Sequence, residues 1–170
     1  IPEKWLLTLV REYGLDPEWL ETGKGAPHRK TEEANLSYVP KVAARLSAGG
    51  GSFDAEAHLK DHVPFPTDWL RRKGTPSAMV LMDVIGNSME PEIKEGDTAL
   101  IDSSQKSIWA HAIYAIGVDD TILIKRVEKQ PGCLVLLSDN RDYSPIMLQG
   151  DEIETVRILG RVIWIGRELM

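Results

Sequence analysis

The chain has 170 residues, 42% of them hydrophobic, with 20 basic and 26 acidic side chains and a net charge of −6. That suffices for one domain with a packed core and some further material, and the acidic balance excludes a chain that wraps nucleic acid by itself, since phosphate neutralisation needs a basic face. The lone cysteine, Cys133, excludes an internal disulfide; with no basic-then-apolar leader and no apolar run of about 20 residues, a cytoplasmic protein is expected.

Residues 2 to 22 read as helix. Pro2 suits a first turn, and Trp5, Leu6, Leu9 and Val10 recur at helical spacing. "YGLD" interrupts the pattern. Gly14 is the expected C-cap, Asp16 the N-cap and Pro17 the first residue of a second short helix. Two short helices with one apolar stripe each bury no core alone. They read as the end of a helical domain spanning residues 1–25. Residues 26–40 are then expected to be a linker, on the strength of the aperiodic polar run "GKGAPHRKTEEANLS". A third region, 41–170, turns towards strand. "YVPKVAARL" is extended and "SAGGGS" is a flexible break. "DHVPFPTDWLRR" carries two prolines, then an aromatic anchor and a helical turn at 67 to 72.

After residue 77 the pattern is almost all β. "SAMVLMDVI" and "GDTALID" read as strands. "AIYAIGV" and "TILIKRV" flank Asp119-Asp120 and predict a short hairpin. "CLVLLS" and "RILGRVIWIG" bring the expectation to at least six strands. Short strands and short turns without intervening helices predict a mainly β, mostly antiparallel fold, either a folded-over sheet or a small barrel.

"VIGNSMEPEIKEGD" puts Ser88 just past a strand, between Gly86 and Pro91. A serine hydroxyl is a poor nucleophile unless a base removes its proton. His28, His58, His62 and His111 form no recognisable triad with it, and the residues after Ser88 do not continue a G-x-S-x-G elbow. Alone, Ser88 reads as a turn serine. Lys125 offers another base. In "TILIKRV" it shares a face with Leu123 and Val127, while Ile122, Ile124 and Arg126 share the other. A strand apolar on both sides is buried. Burial disfavours the ammonium, and a lysine held about three units below its ordinary value of about 10.4 works as a base near neutral pH, at roughly 4 kcal/mol. The plain alternative is a lysine that snorkels past the strand edge. His58 and His62 have a spacing that binds zinc on a helix, but prolines follow and no third ligand is evident, so no metal and no cofactor are expected. Trp69, Trp109 and Trp164 read as core or dimer anchors.

Together, "GNSMEPEIKEGD" and the lysine of "ILIKRV" closely resemble the self-cleaving repressors of the LexA, phage CI and UmuD type, which are Ser-Lys peptidases of family S24. "YVPKVAARLSAGGGS" resembles their cleavage region. "VPFPTDWLRR", "LLSDNRDYSPI" and "LGRVIWIGREL" are similar to segments of the phage-repressor branch, and residues 1–25 to the last helices of its helix-turn-helix domain. The resemblance implies a LexA/signal-peptidase-like pair of folded-over sheets preceded by a remnant of the DNA-binding domain. The helices that would enter the major groove are missing from this chain. "WAHAIY" also departs from the family, which usually has a glycine-containing turn there.

Carried over, the resemblance makes Ser88 the nucleophile, Lys125 the general base and the backbone N–H groups of Ser88 and Met89 the oxyanion donors. The substrate is the chain's own Ala48-Gly49 bond, where a small residue precedes a glycine run able to bend into the site; read alone, that run is a flexible hinge. The implied partners are a second copy in a homodimer, operator DNA through the missing N-terminal domain, and a RecA filament acting as co-protease in the DNA-damage (SOS) response. No membrane and no small-molecule substrate are implied. The apolar character of both faces of "RILGRVIWIG" likewise suggests a two-fold dimer. The alternatives are a non-cleaving dimerisation module relieved by an antirepressor, a peptidase acting in trans, and a UmuD-like polymerase accessory.

Overall fold

The computed structural model describes residues 3–28, 35–43 and 61–169. Ala48, Gly49 and His58 lie outside the described residues. The chain divides into two compact units, Ile1–Asn35 and Leu36–Met170.

In the first unit, helix α1 (Glu3–Tyr13) ends at Gly14, whose φ is 63°, and α2 (Pro17–Thr22) follows. The Asp16 side chain accepts from the N–H groups of Glu18 and Trp19, at 2.9 and 3.1 Å, so two of the donors left open at a helix start are satisfied. Gly23 closes α2 in the left-handed conformation.

The second unit is a nine-stranded, mainly β sheet. Its strands are β1 (Leu36–Val42), β2 (Asp61–Pro66), β3 (Met79–Asp83), β4 (Thr98–Asp102), β5 (Ile113–Val118), β6 (Thr121–Gln130), β7 (Cys133–Leu137), β8 (Ile146–Gln149) and β9 (Val156–Gly166). Their order is β2-β1-β3-β4-β9-β5-β6-β7-β8. Every neighbouring pair is antiparallel except β1 and β3, where Lys41 lies opposite Leu81 and Val42 opposite Met82. Residues 36–40, expected in a linker, therefore belong to the sheet. β2 and β8 are strands that the sequence reading did not assign. Pro64 and Pro66 mask β2, yet as an edge strand it tolerates residues without an N–H. His62 sits in this strand, opposite Pro40, not on a helix. The Asp119-Asp120 hairpin forms as expected, with Asp119 at a φ of 49°.

The sheet is bent. Four strand spacings separate β3 from β6, about 19 Å in a flat sheet, but both line one cleft. Two bulges in β9 permit the bend. The ladder to β4 passes from Trp164 to Val162, skipping Ile163, and the ladder to β5 passes from Gly160 to Ile158, skipping Leu159. Strict alternation along this strand is thus broken twice. Leu159, Val162 and Ile165 pack into one core with Met82, Val84, Met89, Ile93, Ile101 and Ile124. Ile163 and Trp164 join a second core with Leu70, Leu81 and Leu100. There Phe65 stacks on Trp69, centroids 5.8 Å apart, and Trp164 meets both edge-on. Leu70 and Trp69 come from α3 (Thr67–Lys73), where a helical turn was expected. Trp109, by contrast, is 65% exposed and belongs to no core. β9 lies in the middle of the sheet, and its apolar residues pack on this chain's own side chains, so its two-faced pattern does not by itself require a partner.

Gly160 marks the tightest backbone approach of the bend. A Cβ there would lie 2.6 Å from the carbonyl oxygen of Asp102. Gly160→Ala is expected to cost about 1–3 kcal/mol, measured as a lower urea midpoint; an unchanged midpoint would mean that β4 yields freely at this crossing.

Candidate active site

Ser88 is placed by a closed loop between β3 and β4. Val84 N–H donates to Asp97 O at 2.8 Å and Gly96 N–H to Val84 O at 3.0 Å, which ties the loop's ends together. Gly86 supplies a φ of 82° before the serine. Met89 and Ile93 anchor the loop in the first core. Asp97, 1% exposed, locks it further: its carboxylate accepts from Lys94 N–H at 2.8 Å and from Arg167 at 2.6 and 2.7 Å. Arg167 also donates to Glu92 O at 3.2 Å. The Arg167 hydrogen bonds outweigh the effect of burial and hold the Asp97 carboxyl below the usual carboxylate range.

Ser88 is half-buried and lines a cleft of about 200 Å³ with Met82–Gly86, Met89 and Thr121–Ile124. Its hydroxyl makes no hydrogen bond among the described residues. Nor do the N–H groups of Ser88 and Met89 donate to any protein acceptor there, although Ile93 N–H donates back to Met89 O at 2.9 Å.

Lys125 is 6% exposed in β6. No ion pair reaches it among the described residues, and burial pushes its pKa down. Its ammonium donates to Ser138 Oγ at 2.7 Å and lies 5.3 Å from the centre of the Tyr143 ring. The neighbouring Arg126 turns to the other face and makes a bidentate pair with Asp139, at 2.6 and 2.9 Å. It also donates to His111 O. His111, at a φ of 64°, occupies the third position of the turn closed by Ala112 N–H on Trp109 O, a position that favours glycine. This is the local difference that "WAHAIY" foreshadowed, and it is away from Ser88.

Ser88 lines the cleft, Lys125 follows the cleft-lining Ile124 in β6, and the two are not hydrogen-bonded to each other. What spans them is the turn 138–143. Asn140 N–H donates to Ser88 O at 3.0 Å, its side-chain amide to Asn87 O at 3.1 Å, and Tyr143 Oη to Asn87 Oδ1 at 2.7 Å. The sequence reading assigned no role to Ser138, Asn140 or Tyr143. "SDNRDY" reads as an ordinary polar turn, and only its similarity to a family segment hinted otherwise. No cluster able to hold a metal occurs among the described residues, and no described helix is long and apolar enough to cross a membrane.

Residues 40–163, from β1 to β9, match the family described as Peptidase S24-like. The chain belongs to that family. An uncharacterized HTH-type transcriptional regulator of Haemophilus influenzae is 29% identical over 97% of this chain and 79% of its own length. The repressor protein CI of Enterobacteria phage phi80 is 27% identical over 92% of this chain and 76% of its own. A LexA repressor of Shewanella woodyi is 29% identical over 75% of this chain and 59% of its own. The S24-like match thus covers almost the whole sheet, and with it the loop of Ser88, the strand of Lys125 and the turn between β7 and β8.

Asp97→Asn is expected to lower stability by about 2 kcal/mol, because a charge-assisted pair becomes a neutral one in a buried place. The pH dependence has a definite sign. A carboxyl with a depressed folded pKa stabilises the fold fully above its unfolded value, near 3.8, and that contribution is lost as pH falls through the folded pKa. Urea midpoints of wild type and Asp97→Asn should therefore differ at pH 6 and converge in acid; a constant gap would remove the ion-pair explanation.

Proposed function

We propose that this S24-like chain is the self-cleaving part of a transcriptional repressor, with Ser88 as nucleophile, Lys125 as general base and its own Ala48-Gly49 bond as substrate. The observation that carries the reading is a buried lysine with no ion pair among the described residues, tied through the turn 138–143 to the loop of a half-buried serine. Neutral Lys125 accepts the Ser88 proton and the alkoxide attacks the Ala48 carbonyl carbon. The N–H groups of Ser88 and Met89 stabilise the oxyanion. The new ammonium then protonates the Gly49 amine as it leaves, and water hydrolyses the acyl-enzyme.

The topology supports cleavage in cis. β1 ends at Val42, opposite Met82, and Met82 itself lines the cleft. From Val42 to Ala48 an extended chain reaches roughly 20 Å. The ladder between β6 and β7 begins at Arg126, so among the described residues Thr121–Lys125 keep one edge without a ladder partner beside the cleft. An incoming strand has backbone groups to pair with there.

The relatives' names support the biological setting. Residues 1–25 are then the last helices of a DNA-binding domain, 26–35 the linker, and 36–170 the peptidase and dimerisation domain. A homodimer joins two operator contacts, and cutting the linker side of the sheet turns two linked contacts into two weak independent ones. A RecA filament in the SOS response is the proposed trigger, acting by favouring the cleavable state. One observation favours a second reading. Lys125 is engaged with Ser138 and not Ser88, as expected of a non-cleaving dimerisation module relieved by an antirepressor.

Alkaline incubation decides between them. Only neutral Lys125 is a base, so the cleavage rate should climb about tenfold per pH unit and flatten above the lysine's lowered pKa. Fragments should start at Gly49 by N-terminal sequencing. Ser88→Ala and Lys125→Ala should yield no fragments at any pH. An intact wild type after prolonged incubation at pH 10 would favour the antirepressor reading; a step near pH 6.5 would implicate a histidine.

A further inference from the structure

We infer that Tyr143 is a positioning residue that joins the base to the nucleophile, its ring holding the Lys125 amino group and its hydroxyl holding the turn that carries Ser88. This rests on the Ser-Lys reading above, but not on the identity of the scissile bond. The two functional ends of Tyr143 are committed to two different elements. The ring face lies 5.3 Å from Lys125 Nζ on β6. The hydroxyl donates at 2.7 Å to Asn87, the residue before Ser88. Tyr143 is itself fixed through its N–H on Asn140 O at 3.1 Å, and Asn140 grips Asn87 and Ser88. A side chain that is 45% exposed contributes little to a core, so these contacts are what its chemistry supplies.

The ring also affects the proton. An aromatic face attracts an ammonium and has little hold on a neutral amine. Tyr143 thus keeps Lys125 charged against the burial that favours neutrality, and Ser138 Oγ does the same by accepting its N–H. The other ionisable groups nearby are occupied elsewhere. Arg126 and Asp139 satisfy each other. Tyr114, opposite Lys125 in β5, donates to Ser107 O and accepts from Trp109 N–H. Arg141 and Asp142 on the turn and Glu92 on the Ser88 loop are exposed, and half-buried Glu90 makes no ion pair among the described residues.

The test separates the ring from the hydroxyl. In a Ser88→Ala background, which keeps the chain whole, the Lys125 midpoint is read by NMR of carbon-13-labelled lysine. Tyr143→Leu should lower that midpoint by about half a pH unit, and Tyr143→Phe should leave it in place. With Ser88 present, Tyr143→Phe should slow the plateau rate of self-cleavage about tenfold by freeing Asn87, with the melting temperature checked for each variant. A midpoint unmoved or raised by Tyr143→Leu, or a Tyr143→Phe rate equal to wild type, overturns the inference. A wild type that cleaves at no pH overturns the Ser-Lys reading instead, and the NMR midpoints still judge the hold of Tyr143 on the lysine.

Discussion

A lysine taken out of water with no carboxylate to meet it among the described residues is the constraint around which this domain is arranged. The contrast with its other buried and half-buried charges is instructive. Asp97 has Arg167, and Arg126 has Asp139. In Asp102, burial pulls the carboxyl up, but hydrogen bonds from Ser104, Thr75 and Gln105 outweigh it and leave the pKa lowered. Each of these groups is stabilised in its ionised form. Among the described residues, Lys125 has only a hydroxyl and a ring face, both neutral. An ion pair there would stabilise the fold and hold the amine in its charged form. The site keeps the amine desolvated and accepts the cost in stability.

Desolvation of that kind needs walls on several sides, and a flat sheet has two faces only. The bend supplies the rest. Bulges at Leu159 and Ile163 let β9 turn, and the glycine between them lets β4 cross close by. The first core then fills the concave side, with residues from β1, β3, β4, β5, β6 and β9 and three from the Ser88 loop. The loop is thus anchored in the same apolar interior that the strand of Lys125 borders. Cleft and core share side chains, so the position of Ser88 is as firm as the core beneath it.

Local signals were legible in the sequence and long-range ones were not. Gly14, Asp16 and Pro17 told where one helix stops and the next starts, because capping is settled within a turn of chain. Asp119-Asp120 marked its hairpin for the same reason. The alternation around Lys125 foretold a buried strand. By contrast, Pro64 and Pro66 hid β2, since tolerance of proline depends on being at the sheet's edge, a fact of topology. Short, exposed β8 has no apolar pattern to betray it. The bulges of β9 left no trace in an apolar run that reads the same in either register. Ser138, Asn140 and Tyr143 matter only because the bend brings β7's end onto the Ser88 loop, and nothing within six polar residues announces that.

The place of β9 has a consequence for when the site comes into being. It follows the other eight described strands in sequence, yet it lies between β4 and β5, joining the part of the sheet that carries Ser88 to the part that carries Lys125. While residues 156–166 are still being synthesised, β4 and β5 have no strand between them. A growing polypeptide already displays the glycine run, the serine and the lysine, but nothing holds the two halves in one sheet. Topology therefore acts as a timer: the cleft between the Ser88 loop and β6 is assembled only once translation has delivered the central strand.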